Sequence, residues 1–574
     1  MKVRITPFIV ALVAIAAISF RAEAGITVAS ATQGGEADII VGDPTDVYGD
    51  YLSARFAADH HDLDEASKYY SASLDGDPNN PQLLVFAFFY AASAGHVDQA
   101  AELAKRLAVA SPTDRAARLT LAVDALKHRD YKTARSQIAK SASGPFTSFT
   151  VALIDAWGAA GMGDGAAAEA DLKGLHAQNG ADALAYFNEA MLAEFLGHKD
   201  QADGFYNMEL KSAGMSPRVV DAYGRFLERN GRASDAKALY EKVAGQDVFL
   251  PVAQAGLLRI ASGKIPDPLI QHAEDGAAEA MFGIAASLSD EASRDISILY
   301  LRLALYLQPN LDLAKLLLAD RFDALEKYDN SILVYRSVSR DSPYFRTASV
   351  EVAVDEARLD KLDSAISDLN ALTTAYPNDV ETWTALADTL RQAKRYPEAS
   401  KAYGQAIVAA GAPVKNDWPL YYARAIAEQE SSDWNGAEAD LKQSLKLSPD
   451  QPQVLNYLGY SWIDQRRNIT QAVAMLEKAS ALAPDDGYIV DSVGWAYFRL
   501  GRYGDAAKTL ERAIQMVPGD PTINDHLGDA YWKVGRKLDA RFQWSHALAF
   551  GADDGEKTKI EKKLEVGLNK DDRS

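Results

Sequence analysis

The sequence predicts an all-α solenoid of stacked helix-turn-helix units, and three observations carry that prediction. Pro309, Pro343 and Pro377 stand 34 residues apart, a spacing at which stacked supersecondary units repeat. The same order of small, aliphatic and aromatic residues returns around each of them. The clearest copy, Gly487–Asp520, carries Val490, Val493, Gly494, Tyr497, Gly501, Tyr503, Ala506, Leu510, Ala513 and Pro518. From Pro521 onward it is answered by Asn524, Leu527, Gly528, Tyr531, Gly535, Lys537, Ala540, Trp544 and Ala547. Finally, 574 residues without a cysteine leave apolar burial as the source of stability. A two-helix unit cannot bury its own apolar faces, so such units must stack.

Each residue class has a packing reason. Val493-Gly494 and Leu527-Gly528 let the first helix approach the second closely. Gly501 and Gly535 end the first helix, where a left-handed residue is least strained as glycine. Ala506 and Ala540 are the close-contact points of the second helix, and Pro518 stops it. In these residues the chain resembles the tetratricopeptide repeat family. The resemblance implies a right-handed superhelical solenoid of about fourteen units over residues 47–551.

From the N-terminus, Lys2 and Arg4 precede an apolar run, Ile5 to Phe20, and Ala22-Glu23-Ala24 supplies small residues for cleavage. Residues 1–24 read as a secretory signal peptide cut after Ala24, the run being short for a membrane span. Residues 25–46 read as a flexible lead-in. A first arm, 47–250, holds units beginning near Val47, Pro81, Arg115 and Pro217, with weaker fits near Thr147 and Ala183. Residues 251–277 break the rhythm with Pro251, Pro266, Pro268, Gly263 and Gly276. They are either a joint between two arms or a decayed repeat within one continuous superhelix. A second arm, 278–551, begins with a weak fit near Ala278 and continues from Asp312, Arg346, Val380, Trp418, Pro452, Gly487 and Pro521. The Pro452 unit fits if one residue is inserted in its Gln465–Thr470 turn. Residues 552–574 read as a capping helix and tail, which a repeat array needs over its last apolar face.

Sixty Lys and Arg against eighty Asp and Glu give a net charge of −20. Loss of Lys2, Arg4, Arg21 and Glu23 with the signal leaves 57 − 79 = −22. That balance excludes nucleic acid, whose phosphates need clustered cations, and favours basic or neutral partners. The nine histidines form no His-Glu-x-x-His run, and no Gly-x-Ser-x-Gly elbow or phosphate-binding glycine loop occurs. His60-His61 falls in a turn with no carboxylate–histidine constellation around it. No enzyme activity, cofactor or metal is therefore expected.

In the resembled family the groove is lined by first-helix side chains that point away from the second helix. Transferred position by position, this places Asn456, Tyr457 and Tyr460 in the groove, then Tyr488, Asp491 and Trp495, then Asp525 and Asp529. Aromatics there would anchor a ligand, and carboxylates would select Lys or Arg. The family's clamp for acidic chaperone tails needs cations where this chain has Asn456, Thr522 and His526, so that role is not implied. The phrases Leu458-Gly459-Tyr460-Ser461-Trp462, Ile489-Val490-Asp491-Ser492-Val493-Gly494-Trp495 and Ile523-Asn524-Asp525-His526-Leu527-Gly528-Asp529 resemble large secreted or membrane-associated repeat proteins of alphaproteobacterial type. The expectation is a periplasmic scaffold, peripheral to the envelope, binding protein or peptide. The alternative is a cell-wall accessory protein whose Tyr and Trp stack on glycan.

Overall fold

The computed structural model describes residues 47–142, 144–177, 182–212, 215–245 and 250–568. The signal peptide and the lead-in expected over 1–46 lie outside the described residues. Among these residues there are 30 α-helices and no strand. Along the chain they make fourteen two-helix units, with α13 and α30 left single.

The first six units are α1 (Val47–Asp59) and α2 (Leu63–Gly76), α3 (Pro81–Ala94) and α4 (Val97–Ala110), α5 (Arg115–Lys127) and α6 (Tyr131–Ile138), α7 (Pro145–Gly161) and α8 (Gly165–Lys173), α9 (Asp182–Phe195) and α10 (Lys199–Ser212), and α11 (Pro217–Arg229) and α12 (Ala233–Val243). The single helix α13 (Leu250–Ser262) is followed by α14 (Ala273–Ser287) and α15 (Arg294–Leu307), then α16 (Asp312–Asp323) and α17 (Tyr328–Arg336). Next along the chain come α18 (Phe345–Arg358) and α19 (Leu362–Ala375), α20 (Val380–Gln392) and α21 (Tyr396–Ala410), and α22 (Trp418–Glu430) and α23 (Trp434–Leu447). The last are α24 (Pro452–Asp464) and α25 (Ile469–Leu482), α26 (Gly487–Arg499) and α27 (Tyr503–Met516), α28 (Pro521–Lys533) and α29 (Lys537–Ala549), and α30 (Asp554–Val566).

The period is written in the backbone more regularly than in the side chains. A left-handed residue turns the first helix into the second at His61, Gly95, Arg129, Gly163, Gly197 and Gly231, and again at Glu326, Asp360 and Lys394, each step being 34 residues. His61, with φ of 53°, thus sits in the turn where His60-His61 was expected. The turn after α24 carries two such residues, Arg466 and Asn468, which accommodates its extra residue. The second helices keep the matching close contact. Ala66, Ala100, Ala134, Ala168, Ala202 and Ala236 are fully buried, and so are Ser297 and Ser331 where the series later swaps alanine for serine. First helices start on side-chain caps such as Asn80, Asp114, Ser216, Asp486 and Asp520, which accept from backbone N–H groups left open in the first turn.

The chain divides into two compact units between Asp355 and Glu356, within α18. The division does not fall at 251–277. That stretch holds α13, a first helix without a second, whose Pro251 sits in the first turn where its missing N–H is harmless. Residues 264–272 then carry the chain back so that α14 and α15 pack on α3, α5, α7 and α9. This return ties residues 273–307 to the N-terminal arm. The α14–α15 unit also lacks the left-handed turn of its neighbours, consistent with its poor fit to the repeat.

Candidate partner-binding faces

In the first unit the inner face, made by the first helices of successive pairs, is filled by α14 and α15. The core of the filling is Trp157 of α7, fully buried, whose indole Nε1 donates to Asn188 Oδ1 at 3.4 Å. Gly276 of α14 lies against that ring, and a Cβ there would overlap the indole. Ala277, Ala278, Ala280, Met281, Leu299, Leu301 and Leu303 join the same apolar cluster as Phe88, Leu119 and Leu153.

Polar bonds fix the hairpin at both ends. Arg129 Nε and Tyr131 Oη both donate to Glu274, at 2.9 and 3.0 Å. Arg218 of α11 pairs with Glu279, whose carboxylate is fully buried. Thr150 and Tyr300 share a hydroxyl hydrogen bond of 2.8 Å. Arg302 Nε donates to the Ser93 carbonyl at 3.2 Å, Lys127 Nζ to the Tyr306 carbonyl at 2.6 Å, and Tyr306 Oη to Asp98 at 2.6 Å. A cavity of about 270 Å³ remains at the edge of this face, lined by Val85, Phe86, Phe89 and Ala116 among others.

In the second unit, among the described residues, no helix pair packs on α22, α24 or α26 as α14 and α15 pack on the first helices of the first unit. Tyr422 meets Tyr457 edge-on at 5.9 Å. Tyr460 is half-buried, and burial, with Asp491 next, pushes its phenol up to about 12. Asn456 is partly buried, and its Oδ1 has no hydrogen-bond partner. Tyr488 is the open residue of the series, 58 % exposed.

The other expected groove residues are placed differently. Trp495 is only 7 % exposed. Its indole is stacked between Phe498 at 4.9 Å and His526 of the following unit at 4.0 Å. Asp491 does not reach solvent either, because it accepts from His526 Nδ1 at 3.0 Å. Burial opposes the charge on His526, but Asp491, with Asp525 and Asp529 behind it, outweighs burial and leaves the imidazole pKa raised. Asp525 and Asp529 are engaged by the chain itself, since Lys563 of α30 donates to both at 2.7–2.9 Å. Asp529 also accepts from Trp544 Nε1 at 2.9 Å.

Tyr497, which the repeat pattern assigns to the stack, is the more exposed neighbour of Trp495. Its hydroxyl donates to Glu477 at 2.7 Å, and Arg502 lies over its ring at 4.1 Å. Lys563 is not recognisable as a partner from the sequence, because nothing local marks which lysine of α30 turns inward. Among the described residues no group of His, Asp and Glu could hold a metal ion, and no helix is long and apolar enough to cross a membrane.

Comparison with known proteins follows the same segments. Residues 350–414 and 422–487 match the family described as "Tetratricopeptide repeat", and residues 494–535 match "TPR repeat". A TPR repeat-containing protein of Pseudomonas aeruginosa is 30% identical over 158 residues, 27% of this chain. The match spans 23% of that relative's length. Among solved structures, the Cut9–Hcn1 hetero-tetramer of the APC/C covers 91% of this chain and 97% of its own at 14% identity, with a TM-score of 0.38. YrrB, titled a TPR protein with an unusual peptide-binding site, covers 34% of this chain and 97% of its own at 14% identity, with a TM-score of 0.27.

Proposed function

We propose that the chain, which matches tetratricopeptide repeat models over residues 350–414, 422–487 and 494–535, is a non-enzymatic scaffold binding a protein or peptide on the inner face of its second unit. The observation that carries this reading is the contrast between the two inner faces. That of the first unit is filled by α14 and α15, whereas that of the second presents Tyr488 to solvent beside a partly buried aromatic lining. The anchor in this reading is aromatic. Asp491, Asp525 and Asp529 already serve His526 and Lys563, so selection of a basic partner would fall to carboxylates such as Asp464, 62 % exposed although it meets Arg499 at 3.5 Å. The basic start, apolar run and Ala22-Glu23-Ala24 support export to the periplasm.

A photo-crosslinking residue at position 488 in the full chain tests the face directly. It should capture a discrete protein partner in cells, and one placed at the outward-facing Asp505 should not. Tyr488→Ala should weaken that association by about 2 kcal/mol, as for an aromatic hot spot. Capture at 505 alone, or none at 488 with retention on cell-wall polysaccharide instead, would overturn the reading.

A further inference from the structure

The outer face of α29 carries a feature that partner binding on the inner face does not use. Leu538, Phe542 and Phe550 are 83 %, 59 % and 47 % exposed. They lie on one line at i, i+4 and i+12, with His546 completing the row between the two phenylalanines at 4.2 and 5.7 Å from their rings. On the other outer helices of the second unit, large exposed apolar side chains such as Val408, Ile469, Leu482 and Met516 are scattered, which is ordinary for a surface. A row of this length is not.

Charge accompanies the row. From Lys533 to Phe550 there are four cations, Lys533, Arg536, Lys537 and Arg541, against the single carboxylate Asp539, so 4 − 1 = +3 in a chain of net −20. Asp539 is neutralised by Arg536 at 2.6 Å, and Arg536 also meets Glu511 of α27 at 2.7 Å. Lys537 and Arg541 lie over the Trp532 ring at 3.6 and 6.0 Å and meet no carboxylate among the described residues. Burial, and after it Lys533, lowers the Lys537 pKa.

We propose that this face docks on an anionic lipid surface. Exposed apolar side chains in a row, beside cations on the same helix, are a pattern that lies in a membrane interface. The row is a ridge on an outer helix, which suits a plane better than a groove-seeking peptide. One apolar contact alone gives marginal attachment, and an apolar row beside cations supplies the two signals that stable attachment needs. The inference is independent of whatever binds at Tyr488.

Vesicle flotation of the chain from Gly25 onward tests it, since the apolar run Ile5–Phe20 then contributes nothing. The protein should float with vesicles of phosphatidylcholine mixed with phosphatidylglycerol, and flotation should fall as salt rises toward about 1 M, where screening is nearly complete. Leu538→Ser with Phe542→Ser, and separately Lys537→Glu with Arg541→Glu, should each reduce binding at least about tenfold. Both pairs are exposed, so the melting temperature serves as the check that folding is intact. No flotation of the unaltered chain, equal flotation on pure phosphatidylcholine, or binding indifferent to both pairs overturns the proposal. So does light scattering showing a dimer that the Leu538→Ser, Phe542→Ser pair dissolves, because the row would then be a contact between copies.

Discussion

Trp157 and Tyr488 occupy first helices in the two units of this molecule, and their surroundings differ as much as two aromatic positions can. Trp157 is fully enclosed, between its own repeat array and Gly276 of a hairpin that arrives from 119 residues further along the chain. Tyr488 stands 58 % exposed. The same helical scaffold therefore makes a core in one place and a surface in the other, depending on whether the chain turns back into the face that its first helices form. A filled face gains apolar burial and gives up ligand access; an open one keeps access, and each unit's stability rests on its neighbours in the stack. This contrast can be broken experimentally at several points.

The largest effect is expected at Trp157. If α14 and α15 are a true core of the first unit, Trp157→Ala should destabilise it by about 3–5 kcal/mol, the range for deleting a buried large aromatic. Denaturant unfolding followed by a probe in the first unit measures this. A loss below about 1 kcal/mol would mean that the hairpin only rests on the array, and that its inner face could open to a ligand after all.

How much of the contrast was legible in the sequence can be judged from particular residues. The repeat, its turns and its buried alanines follow from a fixed 34-residue spacing, because each is a local property of one unit. The filling of the first unit left only a faint mark. Helix α15, RDISILYLRLALYL, is dense in Ile, Leu and Tyr, as suits a helix packed on more than one side, but it reads equally well as an ordinary repeat helix. Nothing local says which face it will enter, since its partners Ser93, Lys127 and Thr150 lie some 150 to 210 residues earlier. The groove positions show the same limit. The repeat pattern places Trp495 on the inner face, yet its burial is decided by His526, one unit later.

That exchange supplies the second test. Trp495→Ala should now destabilise the second unit by about 3 kcal/mol, because its indole is sandwiched by Phe498 and His526. Tyr497→Ala removes a half-exposed ring whose main bond reaches Glu477 at the surface, and should cost about 1 kcal/mol. Thermal melts of the two variants side by side decide the order. Equal losses would place both rings in one core, and a smaller loss at Trp495 would return it to the open face.

The smallest effect is a pH dependence confined to the second unit. His526 faces Asp491 directly, with Asp525, Asp529 and the Lys563 ammonium close behind. Burial disfavours its charge, but the carboxylates win and raise its pKa above the ordinary 6.5. A histidine with a raised folded pKa adds stability that is complete below the unfolded value and is lost as pH climbs through the folded one. Asp529, pushed up to about 6 by burial and then by Asp525 against the pull of Lys563, also lowers stability as pH rises, but between its ordinary 3.8 and about 6, so the two windows separate. Above about pH 6.5 the melting temperature of the unaltered chain should therefore fall with rising pH. In His526→Gln, which keeps a hydrogen-bond donor toward Asp491 but cannot titrate, that fall should flatten while the slope below pH 6 persists. An unchanged slope above pH 6.5 in the variant would show that Asp491 and His526 are not a charged pair, and that Trp495 owes its burial to ring stacking alone.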